Sequence, residues 1–268
     1  MENEHNWLGL AAGNSRLHWG WFRDQILLTT WDTPHLGVAV RSHQLPHLYL
    51  HRDLVRQRLT DISVYLASVV AQQTKYWQDY HQLKLISLQD IQLSNIYPTM
   101  GIDRALAVWG AFNHYQRSCL IIDGGTALTF TGVDQQKQLL GGAILPGLRS
   151  QLLTLKQKTA ALPEIQLPPN LPLIWALDTE SAIASGILHT AISGIYDYIL
   201  DWLKQFPDSQ IIFTGGDGEL LAKFLQQKFP NFAGDLVVEK NLVFKGIKLV
   251  SQDKNTNHSN HQDTTSYL

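Results

Sequence analysis

The sequence predicts an α/β protein made of two copies of one structural unit, and three observations carry that prediction. Two triplets of apolar, β-branched and aromatic runs occur, one near the N-terminus and one beginning at Cys119. Each triplet has a glycine turn after its first strand, at Gly13-Asn14 and at Gly124-Gly125. Each is followed by stretches whose apolar residues recur at helical spacing. The order of elements repeats more clearly than the residues do, and two similar domains packed face to face leave a cleft, the usual home of a ligand. The domains are placed at 1–115 and 116–250, with a polar tail at 251–268.

The first triplet is "NWLGLAAGN", "RLHWGWF" and "DQILLTTWDT", three strands joined by short turns. Helices are predicted over Leu48 to Leu59 and Gln73 to His81, with a buried strand, "DISVYLASVV", between them. The run "GIDRALAVWGAFNHY" from Gly101 has the spacing of an amphipathic helix. The second triplet is "CLIIDGG", "ALTFTGV" and "QLLGGAILPG", followed by helices at Leu148 to Lys158 and Thr179 to Gln205. "SQIIFTGGDGE" closes with a strand, a glycine turn and the start of a helix. Gly141 and Gly142 read equally as a bulge and as room for a substrate. From Ser251, "SQDKNTNHSNHQDTTSYL" has too few apolar residues to offset its ordering entropy and is predicted to be disordered.

Composition narrows the function. With 23 acidic and 21 basic residues the net charge is −2, so no basic footprint points to nucleic acid. The one cysteine, Cys119, excludes an internal disulfide and a cysteine zinc site, and its setting makes it a small apolar strand residue. The 11 histidines are scattered without metal-ligand spacing. "MENEHNWLGL" is acidic where a signal peptide is basic, and no apolar run reaches the length of a membrane span, so a cytoplasmic protein without membrane partners is expected.

Neither a Walker loop nor a G-x-G-x-x-G strand turn is present. Three other turns can meet a phosphate: Gly13-Asn14-Ser15, Gly124-Gly125-Thr126 and Thr214-Gly215-Gly216-Asp217. Glycine lets backbone N–H groups approach an anion, and the hydroxyls of Ser15, Thr126 and Thr214 add donors. Each turn alone is ordinary hairpin chemistry; three at strand ends form a clamp.

Five segments taken in order resemble the type III pantothenate kinases of the acetate and sugar kinase, heat-shock chaperone and actin superfamily. "AAGNSRLHWGWF" is similar to the family's first phosphate loop, D-x-G-N-T, and "GIDR" to its G-x-D-R. "IIDGGTALTFTGVD" is similar to D-x-G-T-A, "GGAILPGLRSQLLTLKQKTAALP" to G-G-x-I-x-P-G leading to T-A-x-L-P, and "IIFTGGDGELL" to the adenosine-side T-G-G-D. The resemblance spans most of the chain and implies two ribonuclease-H-like domains of the actin-like ATPase type. It implies ATP-dependent phosphorylation of pantothenate, the first step of coenzyme A synthesis, with Mg2+ or another divalent cation and with K+ or NH4+. Phosphate contacts would come from Gly13, Asn14, Ser15, Gly125, Thr126, Gly215 and Gly216, and a monovalent cation would sit at Asp123. Chemistry agrees, because a carboxylate beside a polyphosphate is repulsive unless a cation lies between them.

The resemblance also makes Asp103 the general base and Gly101, Arg104 and Thr179 substrate contacts, Thr179 reaching across from the partner of a homodimer. By itself, an acid at a helix start is equally a response to the helix dipole. A planar guanidinium suits the pantothenate carboxylate. Thr179 is also a plain N-cap candidate, and Asp178 stands where relatives carry Asn. Ala11 replaces the Asp that opens the first phosphate loop, and "SNIYPTMGIDR" is shorter than the family spacing between Tyr97 and the acid. The apolar residues of the Thr179 to Gln205 run exceed one narrow stripe, which predicts a second neighbour for that helix. Rival readings are a kinase of the same superfamily for another small alcohol or sugar, and a non-catalytic regulatory relative.

Overall fold

The computed structural model describes residues 5–56, 62–232 and 234–262, the last eight by their backbone alone. They divide into two units. The first takes the chain up to Gln92, Ile96–Gly110 and everything from Val243; the second takes Leu93–Asn95 and Ala111–Leu242.

The first unit is built on β1 (Asn6–Ala12), β2 (Leu17–Arg23), β3 (Ile26–Thr33), α1 (Arg52–Arg56), β4 (Ser63–Ser68), α2 (Ala71–Trp77) and β5 (Leu83–Leu85), and α3 (Ile102–Tyr115) begins in it. Its sheet runs β3-β2-β1-β4-β5. The first three strands are antiparallel neighbours, whereas β4 lies parallel to β1 and β5 parallel to β4. β1 and β2 are buried along most of their length, with only Asn6, His18 and Arg23 half-buried, while the edge strand β3 alternates between exposed and half-buried residues. Trp7 stacks on Phe22 at 3.9 Å between ring centres, and Trp19 meets Trp77 edge-on at 5.9 Å. Each fully buried ring of this kind is worth about 1.5–3 kcal/mol of transfer free energy.

The second unit repeats the plan with β6 (Cys119–Gly124), β7 (Ala127–Val133), β8 (Leu139–Pro146), α4 (Leu148–Lys158), α5 (Thr179–Gln205), β9 (Gln210–Thr214), α6 (Gly218–Lys228) and β10 (Leu236–Val238). Its sheet order, β10-β9-β6-β7-β8, is the first order read from the other edge. Leu120, Ile122, Leu128 and Phe130 on one face of this sheet pack against Leu188, Ile192, Ile195 and Ile199 of α5 and Leu221, Phe224 and Leu225 of α6. Both strand triplets thus form the predicted antiparallel ribbons, and the α/β class with two like units holds.

The last helix, α7 (Leu242–Gln262), lies mainly in the first unit, where Phe244 and Ile247 cover Gly9 and Phe244 also covers Gly20. The disorder expected from Ser251 is therefore corrected as far as Gln262. Ser251 is buried, Gln252 donates to Gln25 (2.7 Å), Asp253 accepts from Gln92 (2.8 Å), and Lys254 pairs with Asp90 (2.8 Å). Polar anchoring to the first unit replaces the apolar burial that the composition lacks. Residues 263–268 lie outside the described residues.

The helix predicted over Leu48 to Leu59 is also corrected, to a 3-10 turn at His47–Tyr49 and the five-residue α1. Leu48 is exposed, and the Tyr49 carbonyl accepts from Trp31 Nε1 at 2.8 Å instead of closing a helical turn. Residues 57–59 of that prediction are outside the described residues. The helix expected from Gln73 starts two residues earlier, at Ala71. The three-residue strands β5 and β10 are too short to show alternation in sequence.

Candidate active site

In the first unit the predicted residues gather at one end of the sheet. β1 ends at Ala12, whose carbonyl accepts from Val69 N (3.0 Å) just past β4. The turn that follows is closed by Gly13 N donating to the Arg16 carbonyl (3.1 Å), and it leaves Asn14 and Ser15 exposed. Gly101 comes to the same end, since a Cβ placed on it would lie 3.7 Å from Val69 Cγ1. That Cβ would also lie 2.5 Å from Asp103 Oδ1, so only glycine lets the Asp103 carboxylate fold back over the start of α3. There Asp103 accepts from Arg104 N at 2.8 Å. Asp103 is half-buried, and Arg104 Nη1 donates to the Tyr97 hydroxyl at 2.9 Å. Despite the short spacing, Tyr97 is therefore beside Arg104. A carboxylate, a guanidinium and a phenol at this end of the sheet can take a proton, hold an acid and orient a polar substrate.

The second unit builds an equivalent turn. Asp123 sits one residue from the end of β6, between Thr129 of β7 and Thr214 of β9. Gly125 N donates to the Ala127 carbonyl (3.0 Å), as Gly13 N does to Arg16. The Thr126 carbonyl accepts from Gly147 N (2.9 Å) and from Ser150 Oγ (2.7 Å), which ties the start of α4 to the turn. Gly215 has φ +81°, and a Cβ there would run into Asp123 Oδ1 and the Gly124 backbone. The cradle around the Asp123 carboxylate is thus closed by backbone. Hard oxygen donors of this kind fit a monovalent cation. Among the described residues no group of three or more His, Cys, Asp or Glu could hold a metal ion, so a divalent ion would lean on substrate phosphates and water.

Two sequence expectations change here. The Thr214 hydroxyl is buried and donates to the Glu239 carbonyl at 2.7 Å, so it is spent on joining β9 to β10 and offers nothing to a phosphate. Thr179 is not the N-cap of α5; that role belongs to Asp178, whose carboxylate accepts from Ser181 N at 2.9 Å. This backbone bond holds Asp178 below the usual carboxylate range, and Thr179 is left exposed at the first turn. Sequence reasoning did not find two supports. His35 Nε2 donates to the Gly13 carbonyl at 2.8 Å, and Arg149 Nε and Nη2 both lie 3.1 Å from the buried Asp217 carboxylate, whose own N–H donates to the Gly124 carbonyl. These partners are 22 and 68 residues apart, and no local pattern announces such pairs.

Residues 7–201 match the family pattern described as type III pantothenate kinase. The chain belongs to that family. The type III pantothenate kinase of Nostoc sp. strain PCC 7120 is 41% identical over 261 residues, covering 92% of this chain and 95% of its own length. That of Synechocystis sp. strain PCC 6803 is 43% identical over 251 residues, covering 93% and 91%. A crystal structure from Campylobacter jejuni, described as a Baf family transcriptional activator, superposes with a TM-score of 0.60 at 20% identity over 93% of this chain and 99% of that one. At that identity the likeness shows the fold alone. The type III pantothenate kinase match includes the turns at Gly13 and Gly125, Asp103, Arg104 and Thr179, and it ends within α5 before Gly215.

Proposed function

We propose that this protein transfers the γ-phosphoryl group of ATP to the primary hydroxyl of pantothenate. The observation that carries this reading is that Gly101, beside Val69, brings the start of α3 with Asp103 and Arg104 to the end of the sheet where β1 runs into the Gly13 turn, in a chain of the type III pantothenate kinase family. In this reading the Asp103 carboxylate takes the hydroxyl proton while the oxygen attacks the γ-phosphorus. The bond to the bridging oxygen breaks, and ADP leaves. Arg104, steadied by Tyr97, holds the pantothenate carboxylate. Backbone N–H groups and hydroxyls of Gly13, Asn14 and Ser15, and those of Gly125, Thr126, Gly215 and Gly216, would be offered to phosphate oxygens in this reading. A potassium or ammonium ion at Asp123 would neutralise that carboxylate beside the polyphosphate, and Mg2+ would screen the transferring group.

The same reading makes the protein a homodimer in which Thr179 reaches the partner's substrate. The breadth of the apolar surface on α5 no longer argues for it, because Ile183, Ala191, Ile192, Ile195 and Ile199 are buried and Ile187 and Leu203 pack on the same core within the second unit. The segment leading into α5 argues better. Leu173 (81% exposed), Ile174, Trp175 (85%) and Leu177 form an apolar run beside Thr179, of the composition that interface cores favour. That run supports the reading in which Thr179, next to it at the start of α5, enters a neighbouring subunit.

The test is ADP release from the purified protein with ATP, Mg2+ and K+, with and without pantothenate. Pantothenate-dependent release, faster in potassium than in sodium, is expected. Release that ignores pantothenate but responds to a sugar or another small alcohol would replace this reading with the broader kinase one.

A further inference from the structure

The two units differ at one equivalent position, and the difference points to an additional ATP-binding residue. Asp123 lies two residues before Gly125, on the first strand of its sheet; Ala11 lies two residues before Gly13, on the first strand of the other. The acid is present in one copy of the turn and absent from the other. Across the strands, Ala11 pairs with His18 of β2, and His18 pairs with Asp32 of β3, so the three side chains stand in a row on one face. The preceding row, Gly9 and Gly20, lies under Phe244 of α7.

His18 is held in a definite orientation. Its Nδ1 donates to Asp32 Oδ1 at 2.7 Å, and Asp32 Oδ2 accepts from Arg16 Nη1 at 3.1 Å. A carboxylate only accepts, so the proton sits on Nδ1. The other ring nitrogen, Nε2, is 3.7 Å from where a Cβ of Gly13 would be, beside the turn that carries Asn14 and Ser15. Stability does not account for this arrangement. The side chains of Arg16, His18 and Asp32 are 56%, 45% and 46% exposed, and ion pairs that open to water contribute little.

We propose that His18, positioned by Asp32, binds a phosphate oxygen of ATP through Nε2. This rests on the kinase reading and adds a residue to it. With alanine at position 11 the first turn presents no carboxylate that a cation must mask. Arg16 then supplies positive charge, and the imidazole a hydrogen bond, to the polyphosphate directly. Bound between Asp32 on one side and a phosphate oxygen on the other, the ring donates from both nitrogens, and a carboxylate at position 11 would repel that phosphate.

Calorimetric titration with Mg-ATP and, separately, with adenosine tests this on wild type, His18→Ala and His18→Lys. His18→Ala should weaken ATP binding roughly ten- to a hundred-fold, the worth of one charge-assisted hydrogen bond, and leave adenosine binding unchanged. His18→Lys, which restores a hydrogen-bond donor, should recover most of the loss. ATP affinity unchanged in His18→Ala overturns the inference while leaving the kinase reading intact. A parallel loss of adenosine affinity overturns it too, since His18 would then be supporting the fold. A wild-type protein that binds no ATP overturns both.

Discussion

A single carboxylate divides the chemical reading from the structural one. Asp103 has a local partner, the N–H of Arg104, and would satisfy a helix start even in an inert protein. Substitution by asparagine keeps that contact and the shape, and removes only the capacity to take a proton. Asp103→Asn is therefore expected to cut turnover by about 10²–10⁴-fold with pantothenate affinity nearly unchanged, as read by steady-state ADP release and calorimetry. More than a tenth of wild-type turnover would remove Asp103 from the base role. Cys119 makes the opposite case, a residue whose environment silences it. Burial pushes its thiol up to about 12, against a smaller lowering by Arg117. The neutral thiol is thus favoured by folding, a contribution present at neutral pH and lost only as pH rises from the ordinary 9.0 toward 12. At pH 8 an alkylating reagent should react with Cys119 only at the rate of unfolding; rapid labelling of the native protein would contradict its burial.

Among the elements, the glycine turns at strand ends carry the functional argument, and Gly215 is the most constrained of them. Its positive φ and the nearness of Asp123 and Gly124 leave no place for a side chain. Gly215→Ala should cost about 1–3 kcal/mol in denaturant unfolding through backbone strain alone, and should weaken nucleotide binding because Asp123 must move. Wild-type stability in this variant would mean that the turn relaxes freely. Most of this level was legible in the sequence. β1, β2, β6 and β7 announce themselves by apolar, β-branched and aromatic runs with glycine turns beside them, and α3 and α5 by their spacing. What was not legible depends on distant partners. α7 is held by Gln25, Asp90 and Gln92, the helix expected after Leu48 gives way where Trp31 takes the Tyr49 carbonyl, and the Thr214 hydroxyl turns from a phosphate to Glu239. Composition reports what a segment can bury, not which polar groups elsewhere are waiting for it.

For the whole molecule the sharpest prediction concerns assembly. If Thr179 completes the partner's site, Asp103→Asn and Thr179→Ala chains are each inactive alone but complement when mixed. A mixed dimer has one site with both lesions and one with neither, so equal mixing should give ~a quarter of the wild-type rate per chain. Mixtures that stay inactive while mixed dimers are present, by native mass spectrometry, would end the shared-site reading. A second property of the whole chain follows from the position of α7. The second unit is nearly continuous in sequence and is complete once Leu242 has been made, whereas the first unit lacks Phe244 and Ile247 over β1 and β2 until the end of the chain emerges. On the ribosome, then, the half that is synthesised first is finished last. Its Trp- and Phe-rich sheet must wait, half covered, through the birth of its twin, so chaperone capture and nascent-chain proteolysis should fall on the N-terminal half until α7 has emerged.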